Sequence, residues 1–246
     1  MAAGGSRRPH RLDRMLAVQP KPLRRPERLR LVVFDWDGTL MDSIGTIVEC
    51  TLAALGDVPE VPPPPAERIR ESIGLGLRET MERFFPGGDP ELFERVAACY
   101  RHRWLAEYKE RSRLIAGARE AVAGIRAAGY LVGVATAKSR AGLERELDQT
   151  GLRELVHASR TVTEAPSKPH PGMLLQLVEE LAVASDETLM VGDTAWDLEM
   201  AAAAGCHALG VLSGGHAREQ LESAAPLTCL ASVAELPAWL AADLAD

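Results

Sequence analysis

Short apolar runs that stop abruptly at a turn recur along this chain of 246 residues, and helical segments lie between them. The first run, LVVFD at 31–35, ends in the turn WDGT, as a buried parallel strand does where it meets a loop. Similar runs predict strands at YLVGVAT (130–136), ETLMVGD (187–193) and CHALGVL (206–212), and a weaker run predicts one near 156–159. This alternation predicts an α/β fold with a doubly wound, Rossmann-like parallel sheet.

The segments between these runs carry helix signals at their ends. Gly129 follows the helical segment GAREAVAGIRAA, and Gly205 follows an Ala-rich helix predicted at 197–204. Ser139 is suited to cap the helix that follows it, and Pro171 begins a segment, PGMLLQLVEELAV, with apolar residues at helical spacing. These signals predict one helix between each pair of strands.

The alternation fails between residues 43 and 114, where the patterning is helical throughout. The helical segments there are SIGTIVECTLAAL, AERIRESI, LRETMERFF and ELFERVAACYRHRWLAEY. We therefore predict a helical cap at 43–114, inserted into a catalytic core made of 29–42 and 115–246. Residues 1–28, rich in Arg and Pro, are predicted to form a disordered basic tail.

The net charge of −7 is distributed unevenly. Residues 1–30 hold nine Lys and Arg against two Asp and Glu, which leaves 19 against 33 in the remainder. The part of the chain after residue 30 is therefore strongly acidic and repels phosphate backbones. Nucleic acid is not expected as its partner. The chain shows neither a signal-peptide core nor the run of about 18 apolar residues that a membrane helix needs. We expect a cytoplasmic protein without a membrane partner.

The four cysteines, Cys50, Cys99, Cys206 and Cys229, form no C-x-x-C pair. We expect buried, reduced thiols rather than a zinc site or a disulfide framework.

Ionisable or hydroxyl residues follow several predicted strands. Asp35 and Asp37 come after the first strand, Thr136 ends the second, and Asp193 follows ETLMVG. Ligands bind at the carboxyl ends of parallel strands, so these side chains are predicted to meet at one edge of the sheet. Lys168, in the loop SKPHP before a helix, is expected to reach the same crevice.

Three neighbouring carboxylates repel one another unless a cation lies among them. Oxygen ligands without cysteine or neutral histidine suit a hard ion such as Mg2+, which usually binds one or two carboxylates together with substrate phosphate. The residues therefore outline a site for phosphoryl transfer.

Four motifs, taken in chain order, resemble those of a known protein family. DWDGT at 35–39, Thr136, Lys168 and GDTAWD at 192–197 resemble the four motifs of the haloacid dehalogenase superfamily. The resemblance runs from about residue 31 to the C-terminus, and the insertion resembles the helical cap of the phosphoglycolate phosphatase-like branch. One departure is Ala137, where many relatives carry Gly or Asn.

The resemblance implies a role for each motif residue. Asp35 would be the nucleophile that becomes an aspartyl phosphate, and Asp37 the general acid and then base. Thr136 would bind a phosphoryl oxygen, and Lys168 would offset negative charge. The implied Mg2+ ligands are Asp35, Asp37 through its backbone carbonyl, Asp193, and Asp197 acting mainly through the ion's waters.

Residue identity also narrows the reaction. Dehalogenases of this superfamily lack the second aspartate of the first motif, so Asp37 indicates a phosphatase or a phosphomutase. The implied partner is a small phosphorylated metabolite, with phosphoglycolate as the leading substrate. A pyrophosphatase, a nucleotidase and a catalytically silent binding protein on the same fold stay open, as does the oligomeric state.

Arg78 is the candidate for substrate selectivity in the cap. It follows the turn Gly74-Leu75-Gly76 and is placed to meet a substrate carboxylate, whereas the alternative is an exposed helical arginine. Trp36 and Trp196 lie inside motifs and are interpreted as packing residues.

Overall fold

The apolar runs form the strands of a parallel sheet in the computed structural model, which describes residues 28–242. The basic tail predicted at 1–28 lies outside the described residues except for Arg28. The strands in chain order are β1 (Leu31–Phe34), β2 (Met41–Asp42), β3 (Arg113–Leu114), β4 (Leu131–Thr136), β5 (Ala158–Thr161), β6 (Thr188–Gly192), β7 (His207–Val211) and β8 (Cys229–Leu230).

Six of these strands make one sheet in the order β5-β4-β1-β6-β7-β8, and all of its pairings are parallel. Strand β1 is central, and all four of its residues are buried, which explains its unbroken apolar run. Phe34 pairs with Val134 of β4 and Val191 of β6, so these three strands end at a common edge.

The α-helices in chain order are α1 (Ile44–Gly56), α2 (Ala66–Arg70), α3 (Leu77–Phe84), α4 (Pro90–Arg103), α5 (Ala118–Ala127), α6 (Arg140–Thr150), α7 (Gly172–Glu180), α8 (Ala195–Ala203), α9 (Arg218–Ser223) and α10 (Leu236–Ala242). A π-helical turn, Trp104–Tyr108, continues α4. Among residues 28–242, no helix has the length and apolar content needed to cross a bilayer.

Alternate residues of β1 face opposite sides of the sheet, and each side has an apolar core. Val32 and Phe34 pack in the cluster that includes buried residues of α5, α6 and α10. Leu31 and Val33 pack in the other cluster, with buried residues of α7 and α8. Helices therefore cover both faces, and the predicted doubly wound α/β fold is confirmed.

Two of the helix-end signals in the sequence have the predicted structural role. Ser139 accepts a hydrogen bond from the backbone of Gly142 and caps α6, and Gly129, with a φ of +93°, follows α5 in the left-handed region. The weak strand predicted near 156–159 is displaced: β5 spans Ala158–Thr161, and its ladder with β4 begins where Ala158 lies opposite Gly133.

The segment 43–114, called the inserted segment below, contains α1 to α4 and its own apolar cluster. That cluster includes Val48 of α1, Ile69 of α2, Met81 of α3 and Val96 of α4. The antiparallel pair of β2 and β3 joins the two ends of the segment, with Met41 opposite Leu114. Sequence patterning did not predict this pair.

All four cysteines are free, but only Cys50 is fully buried, and the other three are partly exposed. The expectation of free thiols agrees with this arrangement, whereas the expected burial holds for Cys50 and is only partial for Cys99, Cys206 and Cys229. Cys99 and Cys206 pack against the edges of apolar clusters, which agrees with their partial burial.

Candidate functional site

The turn after β1 brings two aspartates to the carboxyl edge of the sheet. Asp35 is buried, and its backbone N–H donates to Val191 of β6. Gly38 adopts a φ of +83°, and a Cβ there would lie 2.3 Å from an Asp193 carboxylate oxygen. Only glycine fits this close approach, which explains the glycine of the DWDGT turn.

Lys168 lies at the centre of the site. Its Nζ is 2.5 Å from Asp35 Oδ1 and 2.7 Å from Asp197 Oδ1, and its side chain is fully buried. A buried lysine between two carboxylates holds both in place, because removing the ammonium would leave two uncompensated charges.

Asp193 and Asp197 are held by backbone and hydroxyl donors around the start of α8. Asp193 accepts hydrogen bonds from Thr39 Oγ1 at 2.8 Å and from the backbone N–H of Gly215 at 2.7 Å. The second oxygen of Asp197 accepts from the Thr194 hydroxyl at 2.7 Å and from the Thr194 N–H at 3.2 Å. Both side chains are therefore fixed in orientation before any ligand binds.

Asp35, Asp193 and Asp197 form one buried carboxylate cluster, with an oxygen from each lying within 4.8 Å of the others. Burial, opposed by Lys168, raises the pKa of Asp35. Burial and then the charge of Asp197 raise the pKa of Asp193 to about 7. Burial lowers the pKa of Lys168, but Asp197 and Asp35 raise it by more, so the lysine stays charged.

The donor set of this cluster fits Mg2+. Three buried carboxylates face a single ammonium, which leaves an excess of negative charge, and every donor of the cluster is an oxygen. Hard divalent cations prefer such oxygen sites. Asp37, the fourth predicted ligand, lies outside this group of three carboxylates, which is compatible with the backbone role predicted for it.

The Asp37 carboxylate belongs to a second polar group. It accepts from Ser43 Oγ at 2.6 Å and lies 3.1 Å from Lys138 Nζ, which also lies 2.9 Å from Glu146. The Trp36 indole N–H donates to the same glutamate. Sequence reasoning missed Lys138 and Glu146, although Lys138 follows Thr136 by only two residues.

Thr136 lies at the end of β4, on the other side of β1 from Asp193. Its side chain is fully buried, and its Oγ1 accepts a hydrogen bond of 3.2 Å from the backbone N–H of Lys138. Since this hydroxyl is an acceptor there, its own proton is available to a phosphoryl oxygen.

The inserted segment contacts the core beside the carboxylates. The Glu71 carbonyl accepts from Trp196 Nε1 at 3.3 Å and lies 3.0 Å from His216 Nε2. Because His216 Nδ1 accepts from the Ala195 N–H, its proton lies on Nε2 and is donated to Glu71. Trp196, interpreted from the sequence as a packing residue, therefore also hydrogen-bonds the inserted segment.

Arg78 points away from these groups. Its guanidinium pairs with Glu82 at 3.1 Å and its side chain is 68% exposed. The arginines that line the cavity between the inserted segment and the core are Arg101 and Arg145. Substrate selectivity at Arg78 stays a prediction.

Comparison with known proteins gives a consistent set of relatives. A family model described as haloacid dehalogenase-like hydrolase matches residues 32–211. A Dickeya dadantii protein named probable phosphatase IndB is 35% identical over 215 residues, which cover 84% of this chain and 91% of that protein. A phosphoglycolate phosphatase of Thiobacillus denitrificans is 31% identical over 192 residues, which cover 74% and 82% respectively.

Solved structures share the fold. The crystal structure of a hydrolase from Pseudomonas syringae matches with a TM-score of 0.78 at 23% identity and covers 87% of this chain and 97% of that one. A structural match at this level of sequence identity shows a common fold and does not by itself indicate a common function.

Proposed function

This chain belongs to the haloacid dehalogenase-like hydrolases, and we propose that it cleaves a small phosphate monoester with Mg2+ through an aspartyl phosphate on Asp35. Its relatives are phosphatases by name, and the chain is a phosphoric monoester hydrolase. Phosphoglycolate is the first candidate substrate, because several of these relatives are named phosphoglycolate phosphatase.

One observation carries the proposal: Asp35 ends the central strand with its carboxylate against the buried Lys168 and beside two further carboxylates. A nucleophilic carboxylate must be oriented and kept ionised in the presence of a negatively charged phosphate. Burial raises the pKa of Asp35, and the nearby ammonium of Lys168 lowers it, which favours the ionised carboxylate that a nucleophile needs.

Asp35 attacks phosphorus, so a bond forms between its carboxylate oxygen and phosphorus while the bond to the leaving oxygen breaks. Asp37 gives its proton to that oxygen. It then takes a proton from the water that attacks the aspartyl phosphate, whose bond to Asp35 breaks as inorganic phosphate leaves. Ser43 and Lys138 hold the Asp37 carboxylate for both steps. Thr136 donates to a phosphoryl oxygen, and Lys168 offsets the charge that develops on the phosphoryl group.

Asp35, Asp193 and the backbone carbonyl of Asp37 are the groups that we expect to hold Mg2+, with Asp197 acting mainly through the ion's waters. When bound, the ion supplies positive charge to the phosphoryl oxygens and to the acidic cluster. Asp197 has a second task, since it fixes Lys168.

The inserted segment acts as a cap in this proposal. Its contacts through Glu71, and the Gly76 N–H that donates to Ser167 Oγ at 2.7 Å, lie next to motif residues of the core. A cap closed in this way excludes bulk water while the first transfer takes place.

The test is a panel of phosphate esters with free phosphate as the readout, run with Mg2+ and with EDTA. Phosphate release that requires Mg2+ and disappears in Asp35→Asn supports the proposal. Transfer of phosphate to a sugar hydroxyl without its release would indicate a phosphomutase, and full activity in EDTA would contradict the metal assignment.

A further inference from the structure

A cavity of about 540 Å³ lies between the inserted segment and the core, and Asp37 is among its lining residues. The core side includes Lys138, Ala141 and Gly142 near the start of α6. The opposite side comes from the inserted segment, where the exposed Leu105 also lines the cavity.

The position of Asp37 defines what this cavity can hold. Within the proposed function, on which this inference rests, Asp37 protonates the oxygen of the leaving group. Asp35, Asp193 and Asp197 are not among the lining residues, so the phosphoryl group lies beyond one end of the cavity. The cavity therefore receives the part of the substrate that departs with the leaving oxygen.

The walls are mainly apolar. Their aliphatic side chains are Ile47, Ile69, Ile73, Leu75, Leu77 and Val162. Tyr100 and Trp104 add aromatic surface, with their rings stacked at 5.9 Å and an interplanar angle of 18°. Such walls favour an apolar ligand, because each contact removes apolar surface from water.

Among the residues that the structure describes, four charged side chains line the cavity, namely Asp37, Arg101, Lys138 and Arg145. Lys138 is paired with Asp37 and Glu146, and the exposed Arg101 is paired with Glu94. Arg145 can therefore meet an acidic substituent at one position, while the rest of the lining is mainly apolar. Ligand pockets of roughly 300–1,000 Å³ hold drug-sized molecules, whereas glycolate, an acid of two carbons, would leave most of this cavity unfilled.

We propose that the leaving group of the substrate is a bulky alcohol or phenol with a mainly apolar body, much larger than glycolate, and that this cavity binds it. The preference is a property of the cavity alone. It is therefore measurable in binding as well as in turnover.

The test compares propyl phosphate with 3-phenylpropyl phosphate, whose alcohols are similar in acidity and differ in apolar bulk. We expect kcat/KM to be at least about tenfold higher for the phenylpropyl ester, since burying a ring is worth at least that much. The matching phosphonates, which cannot be hydrolysed, are titrated in Mg2+ by calorimetry and should show the same order of affinity.

A cavity-filling variant locates the effect. Ala141 is exposed on α6 and lines the cavity, so Ala141→Trp should reduce the phenylpropyl preference to below about threefold. Ala127→Trp, at an exposed position of α5 outside the lining, is the matched control and should keep the preference.

The outcomes separate this inference from the proposed function. Turnover without a phenylpropyl preference, a preference for phosphoglycolate, or a preference unchanged in Ala141→Trp would overturn the inference and leave the phosphatase intact. Absence of turnover with a retained phosphonate preference would overturn the phosphatase and keep the cavity assignment. Absence of both would overturn both.

Discussion

Lys168 and Asp197 form an ion pair of 2.7 Å in which neither side chain is exposed to solvent. Their positions are 29 residues apart in the chain and meet only because the loop before α7 and the first turn of α8 lie at the same edge of the sheet. Lys168 therefore has two roles: it neutralises the buried Asp197, and its charge lies beside the proposed nucleophile Asp35.

Replacing Lys168 by methionine should therefore reduce stability and activity together. Removing one partner of a buried ion pair costs about 3–5 kcal/mol, and losing a charge that stabilises the transition state costs about 100-fold or more in kcat. Urea unfolding in EDTA and phosphate release in Mg2+ measure the two effects. The partly exposed Lys109→Met is the control, and a Lys168→Met protein with wild-type stability in EDTA would contradict the assignment.

The two aspartates of the first motif should fail in different ways. Asp35→Asn removes the nucleophile, so turnover should fall to background with every ester. Asp37→Asn keeps the nucleophile but loses the proton donor and the base. With an aryl phosphate, whose leaving group needs little protonation, Asp37→Asn should still form the aspartyl phosphate, which then hydrolyses slowly.

Rapid quench and mass spectrometry detect that phosphoenzyme. An alkyl phosphate is the control ester, since both steps should be slow with it in Asp37→Asn. If Asp37→Asn carries no phosphate where wild type does, the division of roles between Asp35 and Asp37 is wrong.

Stability of the metal-free protein should depend on pH through Asp193. Its pKa is about 7 in the folded protein against an ordinary value of 3.8, so the folded state binds more protons between these two pH values. The free energy of unfolding in EDTA should therefore fall as pH rises from about 5 to 7 and change little from this cause above 7.

Mg2+ competes with that proton, so the stabilisation it provides should increase with pH across the same window. Urea midpoints in EDTA and in Mg2+ at several pH values measure both trends. The difference between wild type and Asp193→Asn isolates this residue from other titrating groups. An equal pH dependence in the two proteins would show that Asp193 does not titrate there.

Two arginines compete for the role of a selectivity residue. Arg145 lines the cavity, whereas Arg78 is exposed and paired with Glu82. We expect Arg145→Ala to raise KM for a carboxylate-bearing ester several-fold more than for a neutral ester, and Arg78→Ala to change both about equally. Steady-state kinetics with the two esters decide between the two residues, and the reverse result would assign the selectivity to Arg78.

The part of the site that sequence could predict is the part fixed by strand ends. Asp35, Thr136 and Asp193 each follow or end an apolar run, and parallel pairing in register necessarily brings such positions to one edge. Asp197 was predicted from the motif GDTAWD, and it lies in the first turn of the helix that starts beside Asp193.

The rest of the site is formed by packing between elements that are distant in the chain. Such packing has no signature in the local sequence. Lys138 reaches Asp37 only because α6 packs on the face of the sheet beside Trp36, and Glu146 pairs with it from two turns further along. The contact of His216 with Glu71 requires a loop near the C-terminus to meet the inserted segment across 145 positions. Periodicity and motif spacing contain no information about either approach.

The pairing of β2 with β3 determines how the inserted segment is joined to the sheet. Asp42 and Arg113 are neighbours across an antiparallel ladder, so the inserted segment leaves and rejoins the chain at almost one point in space. Its own apolar cluster does not draw on the residues of the sheet. A change of length inside this segment should therefore leave the register of the six parallel strands as it is, provided that Ser43, which holds Asp37, is kept.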